Sequence, residues 1–281
     1  MEQEEKKKLN IIAITDNSEF GTSTIRHGGI LSAIFKSSLT IICNFSFSKR
    51  NQNDQTKNIC EEQMKLTNQL IQNNIEVFLL SDPFSTDNIY SYADETNTIM
   101  FVIGVQRKGK DSLFNLRKAR RFIKPSRLPV MTVGLKLPDN DIFRQVMLPL
   151  DIDRQHKEKA LWAGYFSRFY HAKIHLLCGN YKDQLLKQKV KDNINFTKKL
   201  YQNLEIDYEL HEFSRTIDDI DRFSILYAPE IKATLTVIMM TSFYTFIDYI
   251  FGPKENAIIA NEDGLPVLCI NERDDLYVLC T

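Results

Sequence analysis

Neither sign of charge dominates the chain. Lys and Arg together number 36, and so do Asp and Glu, so no global field draws the protein toward nucleic acid or an anionic membrane. Long apolar runs are also missing. No window approaches the roughly 18 uninterrupted apolar residues of a spanning helix. The amino-terminal MEQEEKKKLN is charged and lacks the apolar centre of a signal peptide. These absences lead us to expect a cytoplasmic protein with no membrane partner. Cysteine is sparse: five residues, Cys43, Cys60, Cys178, Cys269 and Cys280, with no CxxC pair. At least three of them sit inside apolar runs, which predicts reduced core thiols rather than a disulfide framework. Catalytic signatures are missing as well. There is no nucleophile elbow, no HExxH and no P-loop. The histidines are scattered, and His171 and His175 flank a turn with no carboxylate or cysteine beside them to complete a metal shell. We therefore expect no catalytic residue, no metal site and no enzyme.

What the sequence does hold is a regular alternation. Residues 10–15 (NIIAIT), 39–45 (LTIICNF), 76–81 (EVFLLS), 98–105 (TIMFVIGV) and 129–134 (PVMTVG) are short apolar runs. Runs of that kind are the pattern of strands covered on both faces. Segments of helical period separate them: 22–36, a longer helix carrying Cys60, Met64, Thr67, Leu70 and Ile71 on one face, 87–96, and 113–123. The Gly28-Gly29 pair either weakens the first helix or lets it pack closely on a sheet. Residues 135–143 are polar and read as a linker. The series then repeats, with strands at 145–150, 173–178, 206–213, 235–241 and 266–270. Its helices fall at 157–170, 184–204, 218–231 (capped by Asp218 or Asp219) and 252–262. A last apolar piece, 276–280, reads as an extra edge strand. Asp16 matches Asp151, Gly104 matches Met239 and Pro129 matches Pro266, each of the last two inside a Leu-Pro-Val. The expected architecture is α/β with two repeated domains, 1–140 and 141–281. Each would be a five-stranded parallel sheet with helices on both faces and any ligand at the carboxyl ends of the strands.

The second half resembles the universal stress protein family, through VMLPLD at 146–151, EKALWAGYFSRFYHAKIHLL at 158–177 and the closing FGPKENAII and LPVLCI. The first half resembles it more weakly, through IIAITD at 11–16, the strand ending near Gly104 and LPVMTV at 128–133. The resemblance implies an adenine-nucleotide α-hydrolase-like fold. It also implies pairing of fifth strands, here as an intramolecular pseudo-dimer of the two halves, with a protein partner or homo-oligomer as a further expectation. Nucleotide-binding members carry an Asp after the first strand. After the fourth they carry glycines and a Ser/Thr whose backbone and hydroxyl donors cradle phosphate. On that pattern Asp16, Gly104, Asp151, Thr241 and Gly252 are the candidate nucleotide-binding residues, and ATP or another adenine nucleotide is the candidate ligand.

The phosphate cradle is incomplete in both halves. Met239 and Ser242 stand where the first two glycines would, and Pro253, with neither N–H nor hydroxyl, stands in place of Ser/Thr. In the first half Arg107 and the Arg117-Lys118 pair replace the later elements. The resemblance therefore implies a stress-response protein with a degenerate loop and a regulatory or interaction role. The alternative is an adenine-nucleotide or small-ligand sensor with its pocket in the second half. Asp16 and Asp151 could each contact a ligand or cap the turn that follows. The basic run Arg107, Lys108, Lys110, Arg117, Lys118, Arg120, Arg121, Lys124 and Arg127 reads as a solvated helix face or an anion-binding surface. With no aromatic platform, nucleic acid is disfavoured.

Overall fold

The computed structural model describes residues 8–16, 18–47, 75–107, 109, 112–139, 141–152, 156–217, 219–240 and 255–272. The chain divides into two compact units, Met1–Pro138 and Asp139–Thr281.

In the first unit, strands β1 (Asn10–Ile14), β2 (Ser38–Ile42), β4 (Val77–Leu80), β6 (Thr98–Gln106) and β8 (Val130–Val133) form a parallel sheet in the order β4-β2-β1-β6-β8. Every residue of β1, β2 and β8 is buried, as expected of strands with helices on both faces. Two-residue strands β3 (Phe45–Ser46), β5 (Phe84–Ser85) and β7 (Phe114–Asn115) add small parallel pairings that the apolar pattern is too short to signal. Helix α1 (Glu19–Phe35) starts three residues earlier than its apolar period suggests. Ser18 caps it, Oγ accepting from the Phe20 N–H at 3.2 Å. Lys36, in the left-handed conformation at φ 52°, ends it. A Cβ on Gly28 would lie 3.1 Å from Leu39 Cδ1 and 3.3 Å from the Ala13 Cβ. Of the two roles for that glycine, close packing on the sheet is the one seen. The unit also has α2 (Ile89–Glu95) and α3 (Leu116–Ile123). Phe45, Phe101, Phe114 and Phe122 pack ring against ring in its core.

In the second unit, β9 (Gln145–Leu150), β10 (Lys173–Asn180), β11 (Tyr208–Thr216), β12 (Leu235–Met239) and β13 (Val267–Ile270) repeat the arrangement, in the order β11-β10-β9-β12-β13 and again all parallel. Each unit thus has its first strand at the centre, and the order in which strands are added reverses between the first strand and the fourth. That reversal is the switch point at which ligands of open α/β sheets bind. The helices are α4 (His156–Tyr170), α5 (Gln184–Asn203), α6 (Ile220–Tyr227) and α7 (Asn256–Ile259). Asp219, rather than Asp218, caps α6, accepting from the Arg222 N–H at 3.0 Å. The helix stops short of its sequence expectation: it ends at Tyr227, with Ala228 as its C-cap and Pro229 next. Cys178 and Cys269 are buried free thiols. Cys43 is instead disulfide-bonded, so the expectation of reduced cysteines fails there. Among the described residues no helix is long and apolar enough to cross a membrane. The expected helix around 60–71 and edge strand 276–280 lie outside the described residues.

Candidate functional site

The first unit brings Asp16, Gly21, Gly104 and Leu113 together at the carboxyl ends of its central strands. Asp16 follows β1, and its carboxylate serves its own surroundings. Oδ1 accepts from the Ser18 N–H at 2.9 Å and from the Ser18 hydroxyl, while Oδ2 accepts from the Leu113 N–H. The carboxylate thus ties the loop after the first strand to the loop after the fourth. A Cβ on Gly21 would collide with the Asp16 carbonyl oxygen and with Thr15 Oγ1, so the first turn of α1 lies directly on the Asp16 backbone. Gly104, near the end of β6, has a similar role. A Cβ there would stand 2.7 Å from the Phe20 carbonyl oxygen and 2.8 Å from Thr24 Oγ1. Its lack of a side chain admits α1, and its carbonyl accepts from the Ser112 hydroxyl at 3.2 Å.

The second unit places Asp151 at the matching position after β9. Its Oδ1 accepts from the Ile152 N–H at 2.8 Å and from the Tyr181 hydroxyl. Its backbone carbonyl accepts from Asn193 Nδ2 at 2.6 Å. Both side-chain contacts fall on one oxygen, and Oδ2 has no hydrogen-bond partner among the described residues. Met239, which matches Gly104, is buried, as is Met240. The two remaining candidates, Thr241 and Gly252, lie outside the described residues, as does the loop with Ser242, Phe243, Tyr244, Phe246 and Pro253.

No family model matches the chain, and no curated protein does. Solved structures do match. A universal stress protein from Archaeoglobus fulgidus DSM 4304 superposes with a TM-score of 0.67 at 14% identity, covering 95% of this chain and 97% of the other. A functionally unknown protein from Pseudomonas aeruginosa PAO1 gives 0.61 at 11% identity, covering 96% and 95%. The chain has the universal stress protein fold. At these identities the likeness is one of backbone path, so the chemistry of the strand ends has to be judged from this chain's own residues.

The basic run is mostly solvated. Arg107, Arg117, Arg121, Lys124 and Arg127 are exposed, while Lys118 and Arg120 are half-buried. Lys118 Nζ and the Arg121 guanidinium stand 5.5 and 6.0 Å from the Phe47 ring centre, so two of these cations lie over an aromatic face. Lys108 and Lys110 lie outside the described residues.

A different cluster occupies the amino-terminal part of the second sheet. His175 on β10 is in register with Glu209 on β11, and Glu209 and His211, two apart, share a face. His175 Nδ1 is 3.0 Å from His211 Nε2, and His175 Nε2 is 2.7 Å from Gln145 Oε1. Glu209 Oε1 is 3.8 Å from His211 Nε2, and Glu209 Oε2 is 3.9 Å from His175 Nδ1. Lys173 Nζ donates to Glu209 Oε2 at 2.6 Å and holds that carboxyl below its usual range. Burial, with the neighbouring His211 charge second, pushes His175 down to about 4. These three residues could hold a metal ion, and reading the sequence missed them. The visible signal was Glu-Leu-His at strand spacing. The partner histidine lies on another strand, and only the register brings it alongside.

Proposed function

We propose that this protein is a non-enzymatic, cytoplasmic stress-response protein of the universal stress type, acting in regulation or interaction through a protein partner or a second copy. In this reading neither strand-end crevice serves as a catalytic or tight triphosphate site. The observation that carries it is the use of the two switch-point aspartates. Asp16 spends both carboxylate oxygens on Ser18 and Leu113, and Asp151 gives Oδ1 to Ile152 and Tyr181. A nucleotide at the first crevice would have to displace bonds that join two loops. The missing glycines and Pro253 weaken the case for phosphate at the second. Thermal melting with millimolar ATP, AMP or a cyclic nucleotide tests this. Little or no shift is expected.

Oδ2 of Asp151, with no hydrogen-bond partner among the described residues, favours a second reading, in which the second unit keeps a pocket for an adenine nucleotide or other small ligand. A ligand at a hundredfold excess over Kd would add about 2.7 kcal/mol of stability, a shift of several degrees, and Asp151→Ala would abolish it. That result would replace the first reading with the second.

A further inference from the structure

We propose that His175, Glu209 and His211 form a binding site for a divalent first-row transition metal, with Zn2+ the reference ion, on one face of β10 and β11. The site lies toward the amino ends of these strands and does not depend on the reading of the strand-end crevices.

The donor set is two imidazole nitrogens and one carboxylate oxygen, which suits Zn2+ and its neighbours rather than Mg2+ or Ca2+. At Zn–N and Zn–O distances of about 2.0–2.2 Å, tetrahedral ligand atoms stand roughly 3.3–3.6 Å apart. His175 Nδ1 and His211 Nε2 stand 3.0 Å apart and His211 Nε2 and Glu209 Oε1 3.8 Å apart, on either side of that value, and one ligand atom from each of the three residues lies within 4.8 Å of the others. Lys173 already occupies Glu209 Oε2, so Oε1 is the oxygen offered to the ion. The fourth position is left for water on the open side, where the Glu209 side chain is 48% exposed and the histidines are nearly buried.

The outer contacts are those a metal-ligating histidine requires. Gln145 Oε1 only accepts, so His175 donates from Nε2 and keeps its Nδ1 lone pair facing the cluster. In the metal-free form His211 Nε2–H donates to that lone pair. When the ion binds, the His211 proton moves to Nδ1, which the Tyr227 hydroxyl faces at 3.4 Å. No proton is gained or lost overall. The first unit is an internal control. Thr40 stands in register with Phe78 there, as His175 does with Glu209, and neither residue is a ligand.

Titrating the full, chelator-treated chain with Zn2+ by calorimetry, and with Co2+ by its visible absorption, tests the site. One equivalent should bind at the cluster, and Mg2+ should not replace it. Glu209→Gln and His211→Ala should each weaken binding about 100-fold, and Tyr227→Phe about 10-fold. If a variant fails to fold, histidine nitrogen NMR on the unmodified chain decides. Of the five histidines, Zn2+ should move the ring signals of His175 and His211. No Zn2+ binding, unchanged affinity in both ligand variants, or shifts confined to His27, His156 and His171 would overturn the proposal.

Discussion

The two halves share a sheet order and differ in what fills the same places. At the end of the fourth strand the first unit has Gly104, which admits helix α1 to the sheet, and the second has the buried side chain of Met239. At the start of the first strand the first unit has Asn10 and the second Gln145. Asn10 Oδ1 accepts from Ser38 and Thr40, each at 3.0 Å, while Gln145 Oε1 faces His175. One half closes this corner with hydroxyls and the other with imidazoles. A repeated backbone therefore constrains strand order and the positions facing the switch point, and leaves the side chains there free to diverge.

Substituting Gly104 and Met239 should break the comparison most severely. Gly104→Met sets a side chain against the Phe20 carbonyl oxygen and Thr24. Those atoms belong to a helix already packed on the sheet, so the first unit should lose about 3 kcal/mol. Met239→Ala empties a buried position instead and should cost the second unit about 2 kcal/mol. Urea unfolding of each variant measures both. A Gly104→Met protein as stable as the parent would show that α1 does not need that glycine.

Much of this architecture was legible in the sequence because strands buried on both faces are written as short apolar runs, and both halves write them alike. NIIAIT and QVMLPL each announce a central strand. Helix ends were less legible. The start of α1 depends on the Ser18 cap and the fit of Gly21 under Asp16, which no apolar period encodes. The roles of Asp16 and Asp151 were left open by the sequence, since an aspartate after a strand reads equally as a cap or a ligand. Their partners Leu113 and Tyr181 come from distant loops. The His175 cluster was hidden for the same reason, its members lying on two strands whose register is a property of the folded sheet.

The hydroxyl corner offers a smaller effect. Asn10→Ala removes the acceptor of Thr40 Oγ1, which has no other hydrogen-bond partner among the described residues. Ser38 keeps the Leu9 carbonyl and Thr98 keeps Thr96. One stranded buried hydroxyl among three predicts a loss of about 2 kcal/mol by denaturant unfolding. A loss under about 0.5 kcal/mol would mean that water or a shifted Thr40 rotamer restores the bond.

The imidazole corner should reveal itself through pH. In metal-free protein His175 titrates near 4, against 6.5 for an ordinary histidine. Between those values the unfolded chain binds a proton that the folded chain refuses, so stability is full above about pH 6.5 and falls as pH drops toward 4. From pH 7.5 to 5.5 the loss from this group should be about 1 kcal/mol. The first unit has Thr40, which does not titrate, in the matching place. His175→Gln should therefore flatten the acid limb of the second unit's unfolding curve and leave the first unit's curve unchanged, with chelator present throughout. If the variant and the parent lose stability in parallel over that range, the acid sensitivity belongs to other groups, and the difference between the two corners is one of packing rather than protonation.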